Sequence, residues 1–340
     1  MIRGIERKMN RIKKVNETYL LTILAAVGAS IAMVIVSAVL GIYEVVTDEL
    51  MALLVSQAIL FLPTGVYLLR NKFNLKETIR LKRIKISTVP MLIGFMYAVM
   101  PAATLINAIS LKFTTNVIDD TVTRIAANYP FVIGMTAVAF IPAVLEESVY
   151  RGVFYNEYRK VDVKKAVVLS GLLFGLAHMN LNQFIYAFLL GMVFSIVVEV
   201  TDSILSSMVL HFIMNGSSMI SVYAQEMAEV QVTMEEVDAI EAIDTYIQSI
   251  WFIALVGVLL ACFILRMIAK NEGREQVWKE LFGRKKGIST EYEQEISEML
   301  SEGTELEEYV RYPEQKLGTM ALWIGMFFSA GMMLLVELTK

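Results

Sequence analysis

The chain contains two histidines, His178 and His211, and both lie in apolar sequence rather than in its charged stretches. Another largely apolar stretch, Phe131 to Phe154, holds three ionisable residues close together: Glu146, Glu147 and Arg151. Asn215 follows His211 at i+4, so an imidazole and an amide share one helix face. A carboxylate, imidazoles and an amide are the groups that peptide-bond hydrolysis requires: a base for the attacking water and donors for the tetrahedral oxyanion. The candidate catalytic set is therefore Glu146, His178, His211 and Asn215, and these groups can act with no metal and no other cofactor. Alternatively, Glu146, His178 and His211 could form a three-ligand Zn²⁺ site that leaves a position for water. The His-Glu-x-x-His of zinc peptidases is absent.

Spacing assigns supporting roles. Glu147 and Arg151 are i,i+4 and can pair along one helix face. Glu146, one residue earlier, points about 100° away and is free to face another element. Pro142 has no N–H for the carbonyl of Val138, so the helix is expected to open or kink just before Glu146. Counted at about 1.5 Å per residue from the flanking charges, Glu146 lies about 18–20 Å in, His178 about 20 Å and His211 and Asn215 about 12–20 Å. A shared level on three helices is what a common site needs.

The elements that hold these residues follow from composition. Hydrophobic residues make up 56% of 340 and charged residues 19%, with a mean hydropathy of +0.58. The apolar residues form blocks long enough to cross a bilayer. The expected fold is all-α, a polytopic bundle of about eight or nine membrane helices, at 18–43, 49–69, 87–111, 129–156, 165–179, 183–199, 203–223, 248–268 and 318–337. The block after the basic N-terminus is too long for a cleaved leader and reads as a retained first span. The one cysteine, Cys262, excludes disulfides within the chain and a four-cysteine metal site.

Charge then orients the bundle. Lys and Arg cluster before the first span and in 70–85, 159–165 and 266–286, whereas 44–48 and 224–247 have none and 113–128 has Arg124 alone. These groups alternate across the bilayer, which places the N-terminus in the cytoplasm. The chain divides into N-terminal membrane helices (1–128), a core carrying the polar residues (129–223), an acidic extracytoplasmic loop and membrane helix (224–269), a cytoplasmic segment (270–317) and a last membrane helix (318–340). Ile296, Met299 and Leu300 suggest a short amphipathic helix in the cytoplasmic segment.

Glu-Glu-x-x-x-Arg at 146–151, Phe-x-x-x-His at 174–178 and His-x-x-x-Asn at 211–215, on successive membrane helices, resemble the CPBP family. That family comprises CAAX prenyl proteases of the Rce1 type and bacteriocin-processing and immunity relatives, the ABI proteins. The resemblance covers about 129–223. It implies an all-helical core with an intramembrane cavity facing the cytosol, and an endopeptidase of the glutamic type, formerly labelled a metallopeptidase. By resemblance, Glu146 and His178 activate water, His211 and Asn215 stabilise the oxyanion, and Glu147 and Arg151 support the first motif. The implied partners are membrane lipid and a peptide or protein with a hydrophobic or lipidated segment, with no nucleic acid. The expected location is a prokaryotic cell membrane.

Other intramembrane peptidases fit less well. No serine sits in a rhomboid-like setting, Ser217 being the nearest, and the Gly-x-Gly-Asp of presenilin-type enzymes is missing. A transporter would show internal repeats with broken helices in both halves. A non-catalytic immunity or peptide-binding protein could keep every motif and remains the alternative.

Overall fold

The computed structural model describes residues 2–40, 48–71, 73–114, 117–228, 239–282 and 316–338. The amphipathic helix expected around Ile296 lies outside these residues, as does most of segment 270–317. Among the described residues the regular structure is entirely helical. The principal elements are α1 (Ile2–Leu40), α2 (Glu49–Arg70), α3 (Thr88–Leu111), α4 (Val117–Asn128), α5 (Phe131–Tyr158), α6 (Val163–Ala177), α7 (Leu181–Thr201), α8 (Ile204–Met227), α9 (Ala239–Asn271), α10 (Glu275–Phe282) and α11 (Met320–Leu338). Eight of these are long and apolar enough to cross a bilayer, and the chain is an integral membrane protein. The remaining expected span, 165–179, is α6, which at 15 residues falls short of the length a span needs.

Two tight connections set the middle of the bundle. Between α6 and α7, Met179 adopts a left-handed conformation (φ 48°) and Asn180 caps the next helix by accepting from the Gln183 N–H at 3.0 Å. Between α7 and α8, Asp202 is left-handed (φ 56°) and the Ser203 hydroxyl accepts from the Leu205 N–H at 3.2 Å. In each turn one residue reverses the chain and the next satisfies an orphan amide of the following helix. The helices are thus forced into antiparallel neighbours.

α6 and α7 approach closely because their contact residues lack side chains. A Cβ added at Gly191 would lie 2.7 Å from the Gly171 Cα and 3.1 Å from an Arg151 guanidinium nitrogen. Small residues of this kind let membrane helices reach backbone contact. Gly191→Ala is expected to lower stability by about 1–3 kcal/mol through overpacking. Gly28→Ala, where nothing lies within 4 Å of the new methyl group, should leave thermal unfolding in detergent unchanged.

One end of the bundle is tied by charge. Glu199 on α7 accepts from Arg159 Nε at 2.7 Å, Arg80 Nη1 at 3.2 Å and the Tyr155 hydroxyl at 2.8 Å. Arg80 also pairs with Asp202, which takes Lys82 at 2.9 Å and Arg274 at 3.6 Å. The loops that carry the Lys and Arg clusters therefore meet at the same end. Above them, Tyr150, Phe154, Tyr155 and Tyr158 are among the largest fully buried side chains and share one core cluster. At the other end Tyr129 bonds Asp48, Tyr223 donates to the Tyr129 carbonyl at 2.6 Å, and Arg124 pairs with Glu49 at 3.1 Å.

Candidate active site

α5 does not run as a regular helix. Two segments of wider π geometry, Met135–Phe140 and Ser148–Tyr155, flank a seven-residue α-helical piece, Ile141–Glu147, with Pro142 in its first turn. The opening expected at Pro142 is present, and it extends further than one missing amide requires. π segments insert an extra residue per turn and recur at functional sites. Here they bracket the two glutamates.

The glutamates part company as the spacing predicts. Glu147 is fully buried and pairs with Arg151 Nη1 at 2.8 Å. Arg151 is also fully buried, its guanidinium 4.3 Å from the Phe174 ring centroid and 5.3 Å from that of Phe194. Two aromatic faces and one carboxylate surround the guanidinium, while its Nε and Nη2 have no hydrogen-bond partner among the described residues. The same Glu147 oxygen, Oε1, lies 2.8 Å from His211 Nδ1. Because a carboxylate can only accept, Nδ1 carries the proton and Nε2 is turned away from Glu147.

Glu146 faces the other way, into a cavity of about 780 Å³. His178, His211 and Asn215 line the same cavity. Glu146 Oε2 lies 3.9 Å from His211 Nε2, beyond a direct hydrogen bond, and one water can contact both groups. His178 Nδ1 donates to the Phe174 carbonyl at 2.7 Å, which leaves Nε2 of the neutral ring with its lone pair. Phe174 packs edge-on against both imidazoles, with centroids 4.9 Å and 5.9 Å away. Phe174 therefore orients both histidines and the arginine together.

Asn215 Nδ2 donates to the Val138 carbonyl at 3.0 Å. Val138 is the acceptor that Pro142 cannot serve, so Asn215 compensates the break in α5 from α8. Its second amide hydrogen is left for another acceptor.

Gln57 escaped the sequence reading. It is buried on α2 and its Nε2 donates to Glu146 Oε1 at 2.7 Å. A glutamine in an apolar span carries no motif, and its partner lies 89 residues away. The Gln57 Oε1 and the Tyr150 hydroxyl have no protein hydrogen-bond partner among the described residues, and both residues line the cavity. Buried polar atoms left in this state require water or a bound ligand. Gln57→Leu should remove a charge-assisted hydrogen bond and cut turnover about 10- to 100-fold, with thermal unfolding little changed. Steady-state rates of the purified variant check this.

Glu146, His178 and His211, the alternative zinc ligands, are not placed as a metal-holding group. Among the described residues no set of three or more His, Cys, Asp or Glu is so arranged.

The lining residues lie in the half of the bundle away from the basic loops. The cavity floor, at Phe194 and His211, is about 10 Å above Asp202 and Ile204 at 1.5 Å per residue. An opening on the cytosolic side and cytoplasmic basic loops are therefore competing expectations.

Residues 128–217 match the family described as type II CAAX prenyl endopeptidase Rce1-like. The match runs from the start of α5 into α8 and contains Glu146, Glu147, Arg151, His178, His211 and Asn215. No curated protein and no solved structure matches the chain.

Proposed function

We propose, from the match of residues 128–217 to the Rce1-like family, that this membrane protein is an intramembrane endopeptidase working by glutamate-activated water. The observation that carries the reading is the sharing of one cavity by Glu146, His178, His211 and Asn215 while the buried Glu147–Arg151 pair stands behind them. The substrate is a peptide or protein with a hydrophobic or lipidated segment.

In this reading Glu146 takes a proton from water held between it and the free Nε2 of His178. The water oxygen attacks the scissile carbonyl carbon. The resulting oxyanion meets the second amide hydrogen of Asn215, with the His211 ring, its Nδ1–H held by Glu147, as the second group of the oxyanion site. Glu146 then passes its proton to the amine nitrogen as the C–N bond breaks. The products are a new carboxyl and a new amine, and no covalent enzyme intermediate forms. Gln57 holds Glu146 in place from α2, outside the matched segment.

The scheme uses no metal. Purified protein should cleave members of a hydrophobic and prenylated peptide library equally well with and without a chelator, and serine- and cysteine-directed inhibitors should have no effect. Stoichiometric bound zinc together with chelator-sensitive cleavage would overturn the metal-free scheme.

A further inference from the structure

The position of the cavity along the bundle bears on where its substrate comes from. Basic residues gather at the ends where α2, α5 and α9 finish and α3, α6 and α10 begin, cross-linked through Glu199 and Asp202. Across the bundle, Lys112 pairs with Asp244 and Arg124 with Glu49, and little other positive charge is found among the described residues there. An asymmetry of this size orients membrane proteins with the basic end in the cytoplasm.

The cavity does not reach that end. Its floor is closed by the buried aromatic block of Tyr150, Phe154, Tyr155 and Tyr158 and, beneath it, by the Glu199 ion cluster. From the floor the lining continues the other way, to Val222 on α8, about 27 Å above Ile204 at 1.5 Å per residue. Ser30, Ser56 and Ser218 line this upper part and are exposed, so the cavity reaches the protein surface in this half of the bundle and its wall is partly polar. Among the described residues no lysine or arginine lines it, and Glu146 is the one carboxylate that does.

We propose that the cavity takes its substrate from the face of the membrane opposite the basic loops, so that the scissile bond lies in an uncharged, extracytoplasmic segment of a membrane-associated peptide or protein. The inference rests on the peptidase reading for its chemistry, and on geometry and charge alone for its direction. A segment without charge fits a lining that, among the described residues, offers Glu146 as its one carboxylate and no lysine or arginine. A cytosolic C-terminal tail would meet the sealed side.

Site-directed labelling separates the direction from the chemistry, because it reads access without any cleavage. In the full chain with Cys262→Ala, single variants Ser218→Cys and Ser56→Cys probe the cavity wall. Lys164→Cys marks the basic end and Phe113→Cys, 78% exposed, the opposite end. A membrane-impermeant maleimide is applied to spheroplasts and to inverted membrane vesicles. The expected result is that Ser218→Cys, Ser56→Cys and Phe113→Cys label in spheroplasts and lose labelling in inverted vesicles, with Lys164→Cys doing the reverse. Cavity variants that label together with Lys164→Cys, or from neither side, would overturn the proposal. So would labelling of both the cavity variants and Phe113→Cys from the cytoplasmic face. None of these outcomes depends on whether the protein cleaves peptides.

Discussion

Glu146→Gln is expected to reduce peptide cleavage by about 10²- to 10⁴-fold while leaving the protein folded and inserted. The substitution keeps the size of the side chain and an oxygen able to accept from Gln57 Nε2. It removes the lone function the site cannot supply elsewhere, a group that takes a proton from water and returns it to the leaving amine. Glu147 cannot substitute, because its Oε1 is held by Arg151 and His211 and the residue is shut away from the cavity. Turnover of whichever library peptide the purified wild-type chain cleaves best gives the rate. Thermal unfolding in detergent gives the fold. Equal loss of both would mean that Glu146 is structural.

The second large effect is on stability. Arg151→Leu strands the Glu147 carboxylate with no exposure to water and empties the space between Phe174 and Phe194. Removing one partner of a buried ion pair costs about 3–5 kcal/mol, much of it from the charge left behind. The double variant Glu147→Leu/Arg151→Leu should recover part of that loss, since neither residue then carries a buried charge. Activity should not recover, because His211 Nδ1 loses the acceptor that fixes its proton. Thermal unfolding of the single and double variants, set beside their cleavage rates, separates the two contributions. A double variant as unstable as Arg151→Leu would show that the pair acts by packing alone.

Much of the arrangement was legible before any coordinates. Blocks of apolar sequence announced the spans, since a bilayer imposes its thickness on helix length. The i,i+4 spacings of Glu147–Arg151 and His211–Asn215 gave shared faces, and depth along each helix predicted that the polar groups would sit at one level. What local sequence could not disclose was tertiary. Pro142 and Asn215 were each visible, but their meeting at the Val138 carbonyl depends on how α8 crosses α5. The π segments of α5 leave no residue signature comparable to a proline. Gln57 had no motif to mark it, and its role exists only because α2 packs beside α5. Segment 165–179 reads in sequence as a short, polar-tipped candidate span; Asp162 starts the helix and the Met179 turn ends it before it is long enough to cross.

In the proposed mechanism peptide bonds are hydrolysed at the cavity holding Glu146. Comparative mapping of protein termini in membranes containing the wild-type chain or Glu146→Gln tests it most directly. Wild-type membranes should carry new termini within or beside hydrophobic or lipidated segments, and the same proteins should accumulate uncut when Glu146 is replaced. Identical sets of termini in the two membranes, with the variant supporting the same biological role, would contradict the claim and favour a protein that binds its peptide without cutting it.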